Sequence, residues 1–138
     1  MEQSNVNYFE NINELITYCD KLIDKKNHRT FIDEHVLTKF PILEKSTMDF
    51  KGIEIKEDIK NLNTVSEIWE DMFEKSIQRN STILCIGGGV LSDCVGFAAS
   101  TYKRGTNLVI IPTTLLSMVD AAHGGKNGIN TKYGKNQI

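Results

Sequence analysis

The run Ser81-Thr82-Ile83-Leu84-Cys85-Ile86 is almost wholly apolar, breaks on Gly87-Gly88-Gly89, and passes at once into a stretch rich in Ala, Val and Phe. An apolar run this short, with no alternation of polar residues, is the pattern of a strand covered on both faces, as in a parallel sheet. Parallel strands need crossover connections, and helices usually supply them. The spacing therefore predicts a strand over 81–86, a tight glycine turn, a helix over 90–102, and a second buried strand over 108–111 ended by Pro112.

The preceding residues extend the same alternation. Ile12, Leu15, Ile16, Cys19, Leu22 and Ile23 recur at helical spacing, which predicts an amphipathic helix over about residues 9–25. Arg29-Thr30-Phe31-Ile32-Asp33 reads as a short strand ending in an acid, followed by a short helix over 34–40 that Pro41 stops. Residues 48–50 and 53–55 have strand character. Thr64-Val65-Ser66-Glu67 has the form of a capping box, and Val65, Ile68, Trp69, Met72, Phe73 and Ile77 mark one apolar stripe that Asn80 is expected to end in a left-handed stop. The fold class expected is α/β: a Rossmann-like, open, mostly parallel sheet flanked by helices, with right-handed crossovers.

Composition narrows the ligand. The 138 residues suit one domain, which buries roughly 65–70% of its extended surface. Residues 1–80 carry 11 basic and 16 acidic side chains, whereas residues 81–138 carry 5 and 2 and hold nine of the ten glycines. A net-basic, glycine-rich second half points to an anionic ligand held there. No cluster of Lys/Arg with interleaved aromatics supports nucleic-acid binding. No apolar run approaches the roughly 20 residues that span a bilayer, and the polar start Met1-Glu2-Gln3-Ser4-Asn5 lacks a secretory core, so a cytoplasmic protein is expected. Cys19, Cys85 and Cys94 show no C-x-x-C spacing and are read as reduced packing residues. His28, His35 and His123 have no zinc spacing, so no metal site is assigned.

Glycines between a strand and a helix let backbone approach a pyrophosphate, while the helix N-terminus offers N–H donors and partial positive charge. Ser92 stands where the third glycine of G-x-G-x-x-G would fall, so the bend alone is also compatible with a ligand-free turn. Thr113 and Thr114 follow the second buried strand, where they either cap a helix or face a ligand. The segments from Val119 to Asn130 and Gly134-Lys135-Asn136 concentrate Gly, Lys and Asn, which suits a loop wrapped round an anion.

Taken together, Gly87-Gly88-Gly89-Val90, Asp93, Gly96-Phe97, Tyr102, Arg104-Gly105, Pro112-Thr113-Thr114-Leu115-Leu116, Val119-Asp120, Gly124-Gly125-Lys126 and Gly134-Lys135-Asn136 closely resemble 3-dehydroquinate synthase, an NAD-dependent sugar-phosphate cyclase. The resemblance runs over residues 83–138. Upstream, Glu57-Asp58-Ile59-Lys60 and Phe31-Ile32-Asp33 resemble shorter family segments.

The resemblance implies NAD as cofactor, with Asp33 by the adenosine ribose and Glu57 and Lys60 on the far side of that nucleotide. Gly88, Gly89, Val90 and Asp93 are implied to line the pyrophosphate and nicotinamide ribose, and Thr113, Thr114, Leu116 and Lys135 to contact the cofactor. Asp120 is implied to orient cofactor and substrate hydroxyls. Lys126 and Asn136 are implied substrate contacts, and Arg104 is implied to reach the substrate anion across a homodimer interface. The implied reaction is cyclisation of 3-deoxy-arabino-heptulosonate 7-phosphate to 3-dehydroquinate with loss of phosphate, in the shikimate pathway of aromatic amino acid biosynthesis.

Several residues depart from the family pattern. Ser92 replaces a glycine, Ala121-Ala122-His123 replaces Ser-Ser-Val, Lys56 replaces the glycine before Glu57, and the usual N-terminal β-hairpin is not recognisable in residues 1–28. A lone loop histidine such as His123 is read as neutral to function. The resemblance implies a zinc or cobalt site in a helical C-terminal domain that this sequence is expected to lack. Residues 1–138 are accordingly expected to be one NAD-binding α/β domain, a fragment inactive alone. Two further readings stay open: another sugar-phosphate cyclase of the inosose or valiolone type or a related metal-dependent alcohol dehydrogenase, and a non-catalytic binding remnant.

Overall fold

The computed structural model describes residues 6–23, 27–56, 58–121 and 127–138. The chain runs α1 (Ile12–Leu22), β1 (His28–Asp33), α2 (Glu34–Lys39), a 3-10 turn (Pro41–Lys45), β2 (Phe50–Ile53), α3 (Leu62–Glu74), β3 (Thr82–Gly87), α4 (Gly89–Thr101), a short turn (Tyr102–Arg104), β4 (Asn107–Pro112) and a π-type turn (Ser117–Ala121). The four strands form one all-parallel sheet in the order β2-β1-β3-β4. Phe31 lies beside Cys85, and Cys85 beside Ile110.

This order contains a reversal that matters for function. From β1 the chain moves outward to β2, then returns past β1 to lay β3 on its other side. Helical connections before and after that return diverge, which leaves a crevice beyond the carboxyl ends of β1 and β3.

Both faces of the inner strands are covered, which explains their unbroken apolar sequence. Phe31, Ile83 and Cys85 pack against Val65, Ile68 and Met72 of α3 and Leu91, Val95 and Ala98 of α4. Ile32, Leu84 and Ile86 point the other way, towards Cys19 of α1 and towards Leu37, Leu43 and Met48. Each fully buried aliphatic side chain contributes about 1.5–3 kcal/mol. The three cysteines are buried and unpaired, as their spacing predicted.

A buried ion pair ties the sheet to α3. Arg29, 4% exposed, reaches Asp71 with two parallel hydrogen bonds, Nε to Oδ1 at 2.7 Å and Nη2 to Oδ2 at 2.9 Å. Its Nη1 also donates to Asp49 at 2.5 Å. Both members are buried but geometrically satisfied, so the pair fixes the approach of helix to strand more than it adds net stability.

Several boundaries differ from the sequence reading. The helix expected over 9–25 is Ile12–Leu22, with Asn11 accepting from the Glu14 amide at 3.1 Å as its cap. Thr64 is not the cap of α3. Asn61 is, because its side chain accepts from the Thr64 amide itself at 3.0 Å, and Asn caps at least as well as Thr. Nor does Asn80 end that helix. Ser76 takes the left-handed conformation (φ 55°), Ser76 N donates to Phe73 O, and Ile77 N donates to Met72 O at 2.9 Å. These two bonds form a Schellman motif that also seats Ile77 in the core. In place of the two strand segments expected at 48–50 and 53–55 there is one edge strand, β2, over the residues between and at their inner ends (Phe50–Ile53).

Thr30 is fully buried, and its Oγ1 has no hydrogen-bond partner among the described residues. Replacing a buried unsatisfied hydroxyl with an apolar group of equal shape removes a desolvation cost. Thr30→Val is expected to raise unfolding stability by about 1 kcal/mol and Tm by about 3–5 °C, read by thermal and urea melts. A fall in Tm would show that the hydroxyl has a role the packing does not reveal.

Candidate functional site at the sheet crevice

The crevice at the reversal is bounded by an acid and a glycine bend. Asp33 ends β1, and Gly87 ends the neighbouring β3. The Asp33 carboxylate accepts from the His35 amide at 2.8 Å, capping α2, and keeps its second oxygen outside that bond. Gly88 is the N-cap of α4, and no side chain among the described residues caps that end. The first bond of the helix, Ser92 N to Gly88 O at 3.0 Å, leaves the earlier amides facing the crevice end.

The chain after β4 closes over the bend. Thr113 N donates to Gly87 O at 3.0 Å. Thr114 packs on Gly88 so closely that a Cβ there would meet its Cγ2 at 3.0 Å. The Thr114 hydroxyl also accepts from Ser117 N at 3.2 Å, so it caps the turn that follows. Leu115, Leu116, Met118 and Val119 are exposed around it. Capping and a position beside the bend therefore coexist at Thr114.

Ser92, the non-glycine of the motif, is accommodated. It is 2% exposed, and its hydroxyl accepts a long contact from the Cys85 thiol at 3.9 Å, one layer below the bend. Burial pushes the Cys85 thiol up to about 12, against a lowering contribution from Ser92. Cys94 and Cys19 are each pushed up to about 11, again chiefly by burial.

On the other flank, Lys60 reaches α4 and the C-terminal segment together. Its Nζ pairs with the Asp93 carboxylate and donates to Asn136 Oδ1 at 2.6 Å. The Lys60 and Asp93 side chains are 15% and 16% exposed, so the pair is shielded yet reachable. Ile129 is fully buried in the α3/α4 core cluster, which anchors the 127–138 segment across α4.

Among the residues expected at the site, Asp33, Lys60, Gly88, Gly89, Val90, Asp93, Thr113, Thr114 and Asn136 thus lie on elements that meet around this crevice. Lys135 is exposed beside Asn136. Arg104 does not join them within one chain. It is exposed at the opposite end of α4, a 13-residue helix about 20 Å long, with φ 69°. Glu57, Lys126 and His123 lie outside the described residues, as does the side chain of Asp120 in its turn. Among the described residues no group of three His, Cys, Asp or Glu could hold a metal ion. Sequence reasoning gave no role to Asn130 or Ser117. Asn130 stands in a glycine-rich stretch and Ser117 among Leu115, Leu116, Met118 and Val119, so their polar character was visible, but their partners were not.

The sequence model described as 3-dehydroquinate synthase N-terminal matches residues 51–138, well over half of the chain. The chain belongs to the 3-dehydroquinate synthase family. It is 44% identical over 120 residues to the 3-dehydroquinate synthase of Pelagibacter ubique (strain HTCC1062), covering 87% of this chain and 32% of that protein. It is 55% identical over 82 residues to the 3-dehydroquinate synthase of Campylobacter curvus (strain 525.92), covering 59% and 24%. The chain thus spans about a third or less of these relatives.

Among solved structures, it resembles the 2-epi-5-epi-valiolone synthase of Streptomyces hygroscopicus subsp. jinggangensis 5008, which was solved with NAD+ and Zn2+ bound. The TM-score is 0.78 at 30% identity, over 98% of this chain and 42% of that one. A 2-deoxy-scyllo-inosose synthase shares the fold at TM-score 0.73 and 22% identity, over 90% and 36% of the two chains. The expected open, parallel, Rossmann-like architecture is therefore that of this family's relatives.

The burial of the three thiols has a measurable consequence. Below pH 9 they are neutral whether the chain is folded or not, so their burial costs no ionisation. Above it the unfolded thiols ionise first, and stability falls as pH rises from about 9 towards 11–12. Native protein at pH 8 is expected to react with a thiol-specific disulfide reagent at least about tenfold slower than in urea. The urea midpoint is expected to drop between pH 8.5 and 10.5; a flat profile together with fast native labelling would contradict this burial.

Proposed function

We propose that this chain is the NAD-binding part of a 3-dehydroquinate synthase, acting in the cyclisation of 3-deoxy-arabino-heptulosonate 7-phosphate to 3-dehydroquinate with release of phosphate. The observation that carries the reading is the adjacency of Asp33 and the Gly87-Gly88 bend at the reversal of the sheet, with an uncapped helix end beyond. The donor set fits a dinucleotide: a strand-end carboxylate for a ribose diol, and backbone amides with helix polarity for a pyrophosphate. The names of the relatives support the reaction, and the printed contents of the valiolone synthase structure support the cofactor.

In this reading NAD supplies a reversible hydride acceptor that is restored in each turnover. Asp33 holds the adenosine ribose with the carboxylate oxygen that α2 does not use, and Glu57 and Lys60 flank the same nucleotide. Gly88, Gly89 and Val90 present amides to the diphosphate, and Asp93 accepts from the second ribose. Thr113, Thr114 and Leu116 bound the nicotinamide end. Lys135 adds a positive charge beside the cofactor. Asp120 orients hydroxyl groups of cofactor and substrate, and Lys126 and Asn136 hold the sugar phosphate. Arg104 enters from a second copy, because in its own chain it stands at the far end of α4. Preplaced cations of this kind stabilise a departing phosphate. No group of three ligands for the family's zinc or cobalt ion occurs among the described residues, and in this reading residues outside them hold it.

A second reading, a cyclase of the valiolone type, draws on the 30% identity across 98% of this chain. The 44% identity to a 3-dehydroquinate synthase favours the first.

Calorimetric titration tests the cofactor role. The chain is expected to bind NAD with Kd below about 1 mM, an affinity of about 4 kcal/mol or better. Asp33→Ser keeps a capping oxygen for α2 but removes the charge, so NAD binding is expected to weaken about tenfold with Tm little changed. The chain alone is expected to release no phosphate from the heptulosonate phosphate. No binding at millimolar NAD would sink the cofactor reading, and turnover by the isolated chain would sink the claim that it is only a part.

A further inference from the structure

Asn130 has no individual role in anything argued so far, yet it sits at the centre of a closed ring of hydrogen bonds. Its amide donates to the Lys60 carbonyl at 2.9 Å. Its Oδ1 accepts from the Asn136 amide at 2.9 Å. Asn136 Oδ1 in turn accepts from Lys60 Nζ at 2.6 Å, and the same ammonium pairs with Asp93. Three segments far apart in sequence (the loop before α3, the first turns of α4 and the C-terminal loop) are thereby joined through one lysine.

The ring holds an unfavourable conformation. Asn136 has φ 52°, in the left-handed region that Asn tolerates better than most residues but does not prefer. It also presses on bare backbone, since a Cβ at Gly128 would meet Asn136 Oδ1 at 2.5 Å. The loop is closed at its base by Ile129 and Ile138, whose backbones bond at 2.8 Å. That closure fixes the ends of the loop but not the direction of Asn136. The bonds from Asn130 and Lys60 do.

We propose that Asn130 is a positioning residue: it fixes Asn136, and through it Lys60, so that the C-terminal corner and the cofactor side of the crevice act as one unit. The proposal rests on the cofactor reading above for its functional consequence and on the ring itself for its geometry. Among the described residues the Asn130 side chain acts only as an acceptor, which gives the test its discriminating variant. Aspartate keeps that oxygen, and alanine removes it.

The experiment compares wild type, Asn130→Ala and Asn130→Asp in the 138-residue chain by amide hydrogen exchange without ligand and by NAD titration. Loss of one hydrogen bond is expected to speed exchange at the Asn136 amide about fivefold or more in Asn130→Ala. NAD affinity is expected to fall roughly three- to tenfold while Tm stays within about 2 °C. Asn130→Asp is expected to return both to near wild type, which a merely structural loss would not do. Asn130→Ser serves in place of alanine if that chain does not fold. Unchanged exchange at Asn136, unchanged affinity in a wild type that binds NAD, or no rescue by aspartate overturns the proposal. A wild type that binds no NAD removes the cofactor reading instead, and the exchange comparison then decides the ring by itself.

Discussion

The parallel pairing of β1 with β3 is the constraint on which the rest of the molecule depends. It requires the chain to leave β1 on one side and return on the other, and that return makes the crevice. It also requires cover on both faces, which α3 and α4 give on one side and α1 with residues 37–48 on the other. Asp33 and the glycine bend are neighbours only because these two strands are. Had β3 paired with β2 instead, the same residues would have stood apart with no crevice between them.

What was legible in the sequence follows from the range of the forces that decide each feature. β3, the bend and α4 were readable because an apolar run, three glycines and an Ala/Val-rich stretch are local signals with few competing outcomes. The edge strand β2 was blurred because Lys51 and Gly52 interrupt its apolar residues, whereas β4, at the other edge, keeps the unbroken apolar run Leu108-Val109-Ile110-Ile111. The ends of α3 were misplaced by a choice between near-equal caps. Asn61 and Thr64 both have capping side chains, and the outcome turned on which amide each could reach. Ser76 gave no warning of its left-handed φ, since the seating of Ile77 against Met72 imposes it from the core.

The site was legible in part for the same reason. Asp33, Gly88 and Thr114 lie at strand ends, where sequence position nearly fixes spatial position. Asn130 acts only through Lys60, 70 positions earlier, and no spacing rule reports such a contact. Charge was the least faithful guide. The basic balance of the second half drew attention to its lysines and Arg104, yet the ammonium group on the first turns of α4 is Lys60, from the acidic half, already matched by Asp93. Net charge describes a long-range field, whereas the shielded pair is a local arrangement.

β4 borders the sheet on the side away from β3, with Leu115, Leu116, Met118 and Val119 uncovered just beyond it. A margin with unspent amides and carbonyls next to bare aliphatic surface is adhesive. β4 has no outer strand partner among the described residues, and an edge of that kind beside apolar surface is where another chain could add. A strand with an apolar face laid along that margin would satisfy its outward backbone groups and cover its aliphatic side chains at once.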